Sequence, residues 1–168
     1  RVARWSQVID SSDAFLFVTP EYNHSVPGTF KNAVDLLGSE WVGKVVGFVG
    51  YGFTMGARAV EHWRQITANF SMVDARSQVS LGLFTDFDGE GAFAPIDRRP
   101  AELAHRPLVE AMGAWLDEED ALLLGVEVAV GLISLERVVE GFVGAGTSLV
   151  ALGRPGAGTL SVVGAGAL

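Results

Sequence analysis

Cysteine is absent from the 168 residues. Disulfides, thiolate catalysis and Cys-ligated metals are thereby excluded, and the composition fits a reducing, cytoplasmic setting. Basic residues are scarce, with 12 Lys and Arg against 20 Asp and Glu for a net charge of −8. That leaves no electropositive footprint for nucleic acid and none for docking on an anionic membrane surface. No apolar run approaches the roughly 20 residues a spanning helix needs. Neither nucleic acid nor membrane is expected as a partner.

Several catalytic signatures are missing too. Gly50, Gly52 and Gly56 form no G-x-G-x-x-G fingerprint, and no Lys-Ser/Thr follows them, so a phosphate-binding P-loop is excluded. His24, His62 and His105 are scattered and no G-x-S-x-G elbow exists, so a hydrolytic triad has no support. Asp86, Asp88 and Glu90 fail the spacing of a calcium loop and read as solvated loop charges; no metal site is expected.

What is present reads as globular: 49% apolar and 19% charged residues, enough chain for one ordinary domain. The spacing of Val2, Trp5 and Val8/Ile9 predicts the last turns of a helix. Ala14–Val18 (AFLFV) and Val45–Val49 (VVGFV) are short continuous apolar runs, typical of parallel strands covered on both faces. Between them, Phe30, Ala33/Val34 and Leu37 give one apolar helix face behind Pro27, which is tolerated in a first turn. After the glycine-rich turn 50–58, Ala59/Val60, Trp63, Ile66/Thr67 and Phe70 predict another helix, and 79–84 a third strand. A loop over 86–100 and a helix bearing Leu103, Leu108, Met112, Trp115 and Leu116 follow. Strands alternating with helices predict βαβ units and a parallel sheet.

From about Ala121 the character changes. The last 48 residues hold 10 of the 21 glycines, with Ala, Val and Leu as the main remainder. The expected organisation is a 1–120 α/β domain and a 121–168 Gly/Ala/Val-rich extension. Within the extension, 126–133 could be a strand and 135–143 a short helix, and the closing 153–168 reads as a flexible tail.

The stretch VTPEYNHSVPGTFKNAVDLL (18–37) carries the chemistry. It places Pro20, Glu21, Tyr22 and Asn23 at the carboxyl end of a strand, where open α/β sheets bind ligands. Tyr22 offers a flat apolar face with a polar tip, and Asn23 offers donors and acceptors. A planar heterocycle with carbonyl and N–H edges suits that surface. An ordinary strand-to-helix turn, built from the same turn-forming residues, is the alternative.

Residues 5–37 resemble the central signature of the NADPH-dependent FMN reductases, a flavodoxin-like family of flavin-dependent reductases of quinones, azo compounds and metal ions. Trp5, Ile9, Asp13-Ala14, Thr19–Asn23, Ser25–Gly28, Lys31–Ala33 and Asp35 stand in the family's order. Trp41, Gly43-Lys44, Tyr51-Gly52, Gly56-Ala57-Arg58 and Asp88-Gly89 continue the likeness, which spans about residues 1–118. The resemblance implies a doubly wound parallel sheet and an FMN cofactor. Pro20, Glu21, Tyr22 and Asn23 would cradle the ring and ribityl part, mostly through backbone groups, with Tyr51 and Gly52 on the pyrimidine side. It implies NADPH or NADH as donor, a small-molecule electron acceptor such as a quinone or free flavin, and hydride chemistry borne by flavin N5 with no catalytic side chain. It also implies a homodimer, for which Trp41 and Trp63 are surface or core candidates.

One departure stands out. The family opens with a strand and a Gly-Ser-x-Arg loop that grips the FMN phosphate, and residues 1–10 already match a later helix. The expected domain therefore lacks two strands of the 2-1-3-4-5 order, leaves the 14–18 strand with an open ladder edge, and holds FMN weakly. The extension would then be either a compensating addition or unrelated sequence, such as a shifted reading frame. Alternatives to the reductase are a non-catalytic fragment without flavin and a flavodoxin-type electron carrier.

Overall fold

The computed structural model describes residues 2–90, 148–153 and 160–164. Three parallel strands form its centre: β1 (Ser12–Pro20), β2 (Val45–Gly52) and β3 (Val73–Gly82). Three α-helices accompany them: α1 (Val2–Asp10), α2 (Gly28–Asp35) and α3 (Ala57–Asn69). Two further strands, β4 (Ser148–Gly153) and β5 (Leu160–Gly164), complete a five-stranded sheet of order β3-β2-β1-β4-β5.

The β1–α2–β2–α3–β3 run is the α/β unit the alternation predicts. β1 pairs in parallel with β2 from Ala14↔Val45 to Pro20↔Tyr51, and β2 with β3 from Val45↔Val73 to Gly52↔Gly82. The short apolar runs underestimate the strands. β2 continues through Gly50, Tyr51 and Gly52, which the sequence places in a turn. β3 begins at Val73 rather than near Val79, because an edge strand needs no continuous apolar run: Asp74, Arg76 and Gln78 lie within it.

Alternation along the strands sends side chains to two faces. Phe15 and Phe17 of β1 lie beside Val46 and Phe48 of β2, and all four are fully buried with Trp5, Ile9, Phe30, Val34, Trp41, Val60 and Trp63. Ala14, Leu16, Val18, Val45 and Val49 point the other way and are buried as well. Both faces of β1 and β2 are thus covered, which is why their sequences are apolar at nearly every position.

The helix-side core is aromatic. Phe17 lies 5.2 Å from Trp63 and 5.0 Å from Phe30, and Phe15 lies 5.1 Å from Trp41, mostly edge-on. Among the described residues each buried indole N–H has an acceptor: Trp5 donates to the Ala33 carbonyl (2.8 Å), Trp41 to the Val34 carbonyl (3.1 Å) and Trp63 to the Thr19 hydroxyl (3.1 Å). Trp41 and Trp63 are fully buried, so of their two expected places the structure puts them in the core, not on a dimer surface.

The expected open edge of β1 is filled. β4 pairs antiparallel with β1 from Ser12↔Gly153 to Val18↔Ser148, and β5 pairs antiparallel with β4. The sheet is therefore mixed rather than wholly parallel, and the 153–168 stretch, expected as a flexible tail, contributes β5. The expected elements at 103–116, 126–133 and 135–143 lie outside the described residues.

Candidate functional site

The carboxyl ends of β1 and β2 lie side by side, and each feeds a loop. Register pairs Pro20 with Tyr51, and the Glu21 N–H donates to the Tyr51 carbonyl at 3.1 Å. The two predicted groups, Pro20–Asn23 and Tyr51–Gly52, are thus neighbours.

Beyond Glu21 the chain makes a two-residue hairpin turn. The N–H of Tyr22 donates to the Ser25 carbonyl and that of Ser25 to the Tyr22 carbonyl, both at 3.0 Å. The turn residues Asn23 (φ 48°) and His24 (φ 72°) are both left-handed. Two positive φ values are what a type I′ turn demands, and Asn tolerates that region better than most residues. Such a turn directs its two inner N–H groups outward, and among the described residues Asn23 makes no hydrogen bond. Tyr22 is 52% exposed.

Glu21 behaves differently from its neighbours. Its side chain is only 4% exposed and points inward, toward the loop between β2 and α3. Oε2 accepts from the Thr54 hydroxyl (2.7 Å) and from the Arg58 backbone N–H (3.1 Å); Oε1 accepts from the Arg58 guanidinium through Nε and Nη2. Gly56, the residue before α3, has no side chain with which to cap the helix. Glu21 takes that role from another loop, satisfying an orphan N–H and placing negative charge at the positive end of α3. Burial raises the Glu21 pKa, but hydrogen bonds from Arg58 and Thr54 and the Arg58 charge outweigh it, holding the carboxyl below its ordinary value. Glu21 is therefore an ionised structural acid, and its side chain has no room to receive a ligand.

Two glycines permit this contact. Gly52 (φ +145°) would carry a Cβ 3.5 Å from that of Glu21. Gly56 (φ +69°) would place a Cβ 2.4 Å from the Tyr51 nitrogen, an impossible approach. Tyr51 is half-buried, and burial first, the nearby Tyr22 second, push its phenol well above the ordinary range. It stays protonated and able to donate.

Sequence reasoning singled out the residues of both loops but missed what joins them. Arg58 entered only as part of the resemblance, and Thr54 and His24 had no role. The available signal was Glu21 itself: a carboxylate at the end of a buried strand needs a cation. Asp86 and Asp88 accept local hydrogen bonds, from Gly82 N–H and the Thr85 hydroxyl and from Glu90 N–H.

The set comprises an exposed aromatic face and open N–H groups on a fixed turn, with the Glu21 carboxylate already paired with Arg58. Such a set matches a planar group with carbonyl edges.

Residues 1–86 match the family model described as NADPH-dependent FMN reductase. The chain is 50% identical over 56 residues to an NAD(P)H-dependent FMN reductase of Nectria sp, covering 33% of this chain and 28% of that protein. It is 54% identical over 46 residues to a quinone reductase of Pseudomonas putida, covering 24% and 25%. It therefore spans only about a quarter of the length of these two relatives. Among solved structures, FerB, a flavoenzyme NAD(P)H:(acceptor) oxidoreductase from Paracoccus denitrificans, superposes with a TM-score of 0.54 at 26% identity, over 70% of this chain and 68% of that one. With half of its length matched by the family model and the strand-end loops in place, the chain belongs to the NADPH-dependent FMN reductase family.

Proposed function

We propose that the chain forms the ring-binding part of an FMN site and, with FMN bound, passes electrons from NAD(P)H to small acceptors such as quinones or free flavin. The observation that carries this reading is the meeting of the Pro20–Asn23 turn with the Tyr51–Gly52 loop at the carboxyl edge of β1 and β2. The quinone reductase relative and the acceptor oxidoreductase named for FerB support the acceptor class.

Bound FMN would supply the hydride-accepting centre, N5. The chain's own residues do the rest. Tyr22 would offer its exposed ring, and Asn23 and His24 would offer backbone N–H groups, to hold the flavin ring. Pro20 fixes the direction in which the turn leaves β1. Gly52, lacking a side chain, leaves room for Glu21 to pack beside the Tyr51 backbone. Homodimerisation and a cytoplasmic location belong to the same reading.

Titrating FMN with the purified chain, with flavin fluorescence as the readout, tests it. Saturable quenching that Tyr22→Ala weakens, with NADPH consumed on adding a benzoquinone, is the expected result. Absence of saturable quenching would refute the reading. Quenching without NADPH turnover would refute the reductase step while keeping the FMN site, whereas no quenching would favour the second reading, a non-catalytic fragment without flavin.

A further inference from the structure

We infer that Arg58 is the positioning residue of the proposed flavin turn: its guanidinium, seated on the buried Glu21 carboxylate, fixes residues 20–25 against residues 52–58 and sets where the Asn23 and His24 N–H groups point. This rests on the functional reading above and adds to it a residue that touches no flavin.

The turn needs such a device. Its own closure consists of two backbone hydrogen bonds between Tyr22 and Ser25, across two residues in left-handed conformation. Left alone, a two-residue hairpin of this kind is marginal in water. Arg58 lies in the first turn of α3, whose buried Ala59, Val60 and Trp63 anchor it to the core, so its backbone is a fixed reference. From there the side chain reaches both ends of the turn. Nε and Nη2 engage Glu21 before it, and Nη1 meets His24 Nδ1 within it at 2.8 Å. Because a guanidinium can only donate, His24 Nδ1 is the acceptor and the ring proton rests on Nε2. On the far side, Ser25 Oγ lies 2.9 Å from His62 Nδ1, a second tie to α3. A lysine could not replace Arg58, since one ammonium lacks the planar fork that serves the carboxylate and the imidazole together.

The experiment compares Arg58→Lys, Glu21→Gln and, as a control, Arg64→Ala. Arg64 is the other arginine of α3; it binds Asp74 and the Ala75 and Arg76 carbonyls of β3, away from the turn. Three quantities are read in the full chain: the melting temperature, amide exchange of residues 22–25 without flavin, and the FMN dissociation constant with the visible circular dichroism of bound FMN. Arg58→Lys and Glu21→Gln are expected to speed exchange at the turn and raise the FMN dissociation constant, each by about tenfold, the equivalent of one lost charge-assisted hydrogen bond. The dichroic band of bound FMN should change shape. Arg64→Ala should lower the melting temperature yet leave exchange at the turn, affinity and band shape as in the wild type. Unchanged exchange and affinity in Arg58→Lys, or equal effects from Arg64→Ala, would overturn the inference alone. A wild-type chain that binds no FMN would overturn the functional reading and this inference together.

Discussion

The indole N–H of Trp63 donates to the hydroxyl of Thr19 at 3.1 Å, with both side chains fully buried. Thr19 passes the bond on, donating to the Pro20 carbonyl at 3.1 Å. α3 is thereby tied to the last residues of β1, where the proposed cradle begins. Thr19→Val keeps the shape but orphans a buried indole N–H, and should cost about 1–3 kcal/mol. Urea unfolding followed by tryptophan fluorescence measures it; a midpoint equal to that of the wild type would show the bond to be without net value.

Gly56→Ala should be among the most damaging single methyl additions. Its positive φ alone costs a side-chain-bearing residue about 1–2 kcal/mol. The added carbon would also lie 2.4 Å from the Tyr51 nitrogen and 2.6 Å from the Gly50 carbonyl carbon. Each kcal/mol lowers the melting temperature of a chain this size by about 2–4 °C, so calorimetry should register a drop of several degrees. FMN affinity should fall with it, since the loop beside Tyr51 must move.

The acid limb of stability should carry the signature of Glu21. Its folded carboxyl titrates below the ordinary value of 4.5, burial being outweighed by Arg58 and Thr54. A depressed carboxyl contributes stability that is complete above the ordinary value and lost as pH falls through the folded one. Glu21→Gln should therefore be less stable than the wild type at neutral pH, and the gap should close as pH drops below 4.5. Denaturant midpoints across that range test it, and a gap of constant size would exclude the assignment.

Removing residues 148–168 should raise the tendency of the chain to aggregate. β1 would lose the β4 ladder that runs from Ser12 to Val18, exposing unpaired backbone along an apolar strand. Light scattering of the truncated and full chains at equal concentration is the measurement.

Much of this was legible from residues. AFLFV and VVGFV announced strands covered on two faces, and the helical spacing of Val60, Trp63 and Thr67 announced α3. The polar start of β3 was not, because an edge strand with one solvated side lacks the apolar run that marks β1 and β2. Both loops of the candidate site stood out by their special residues. The ion pair between them did not: Glu21 and Arg58 are 37 positions apart, and only the pairing of Pro20 with Tyr51 brings them together. Nor did β4 and β5, since glycine-rich apolar sequence gives no period from which to read a strand.

The antiparallel pairing of β4 with β1 also sets a schedule. β1 and β2 can meet once Gly52 is made, but Ser12 finds its partner Gly153 only about a hundred residues later. During synthesis, with domains completing from the amino end at roughly 5–20 residues per second, the central strand must wait several seconds with one side unsatisfied. Such late, sequence-distant closure is slow to form. The yield of folded protein should then depend on what meets that side first, residues 148–153 of the same chain or the β1 strand of a neighbour.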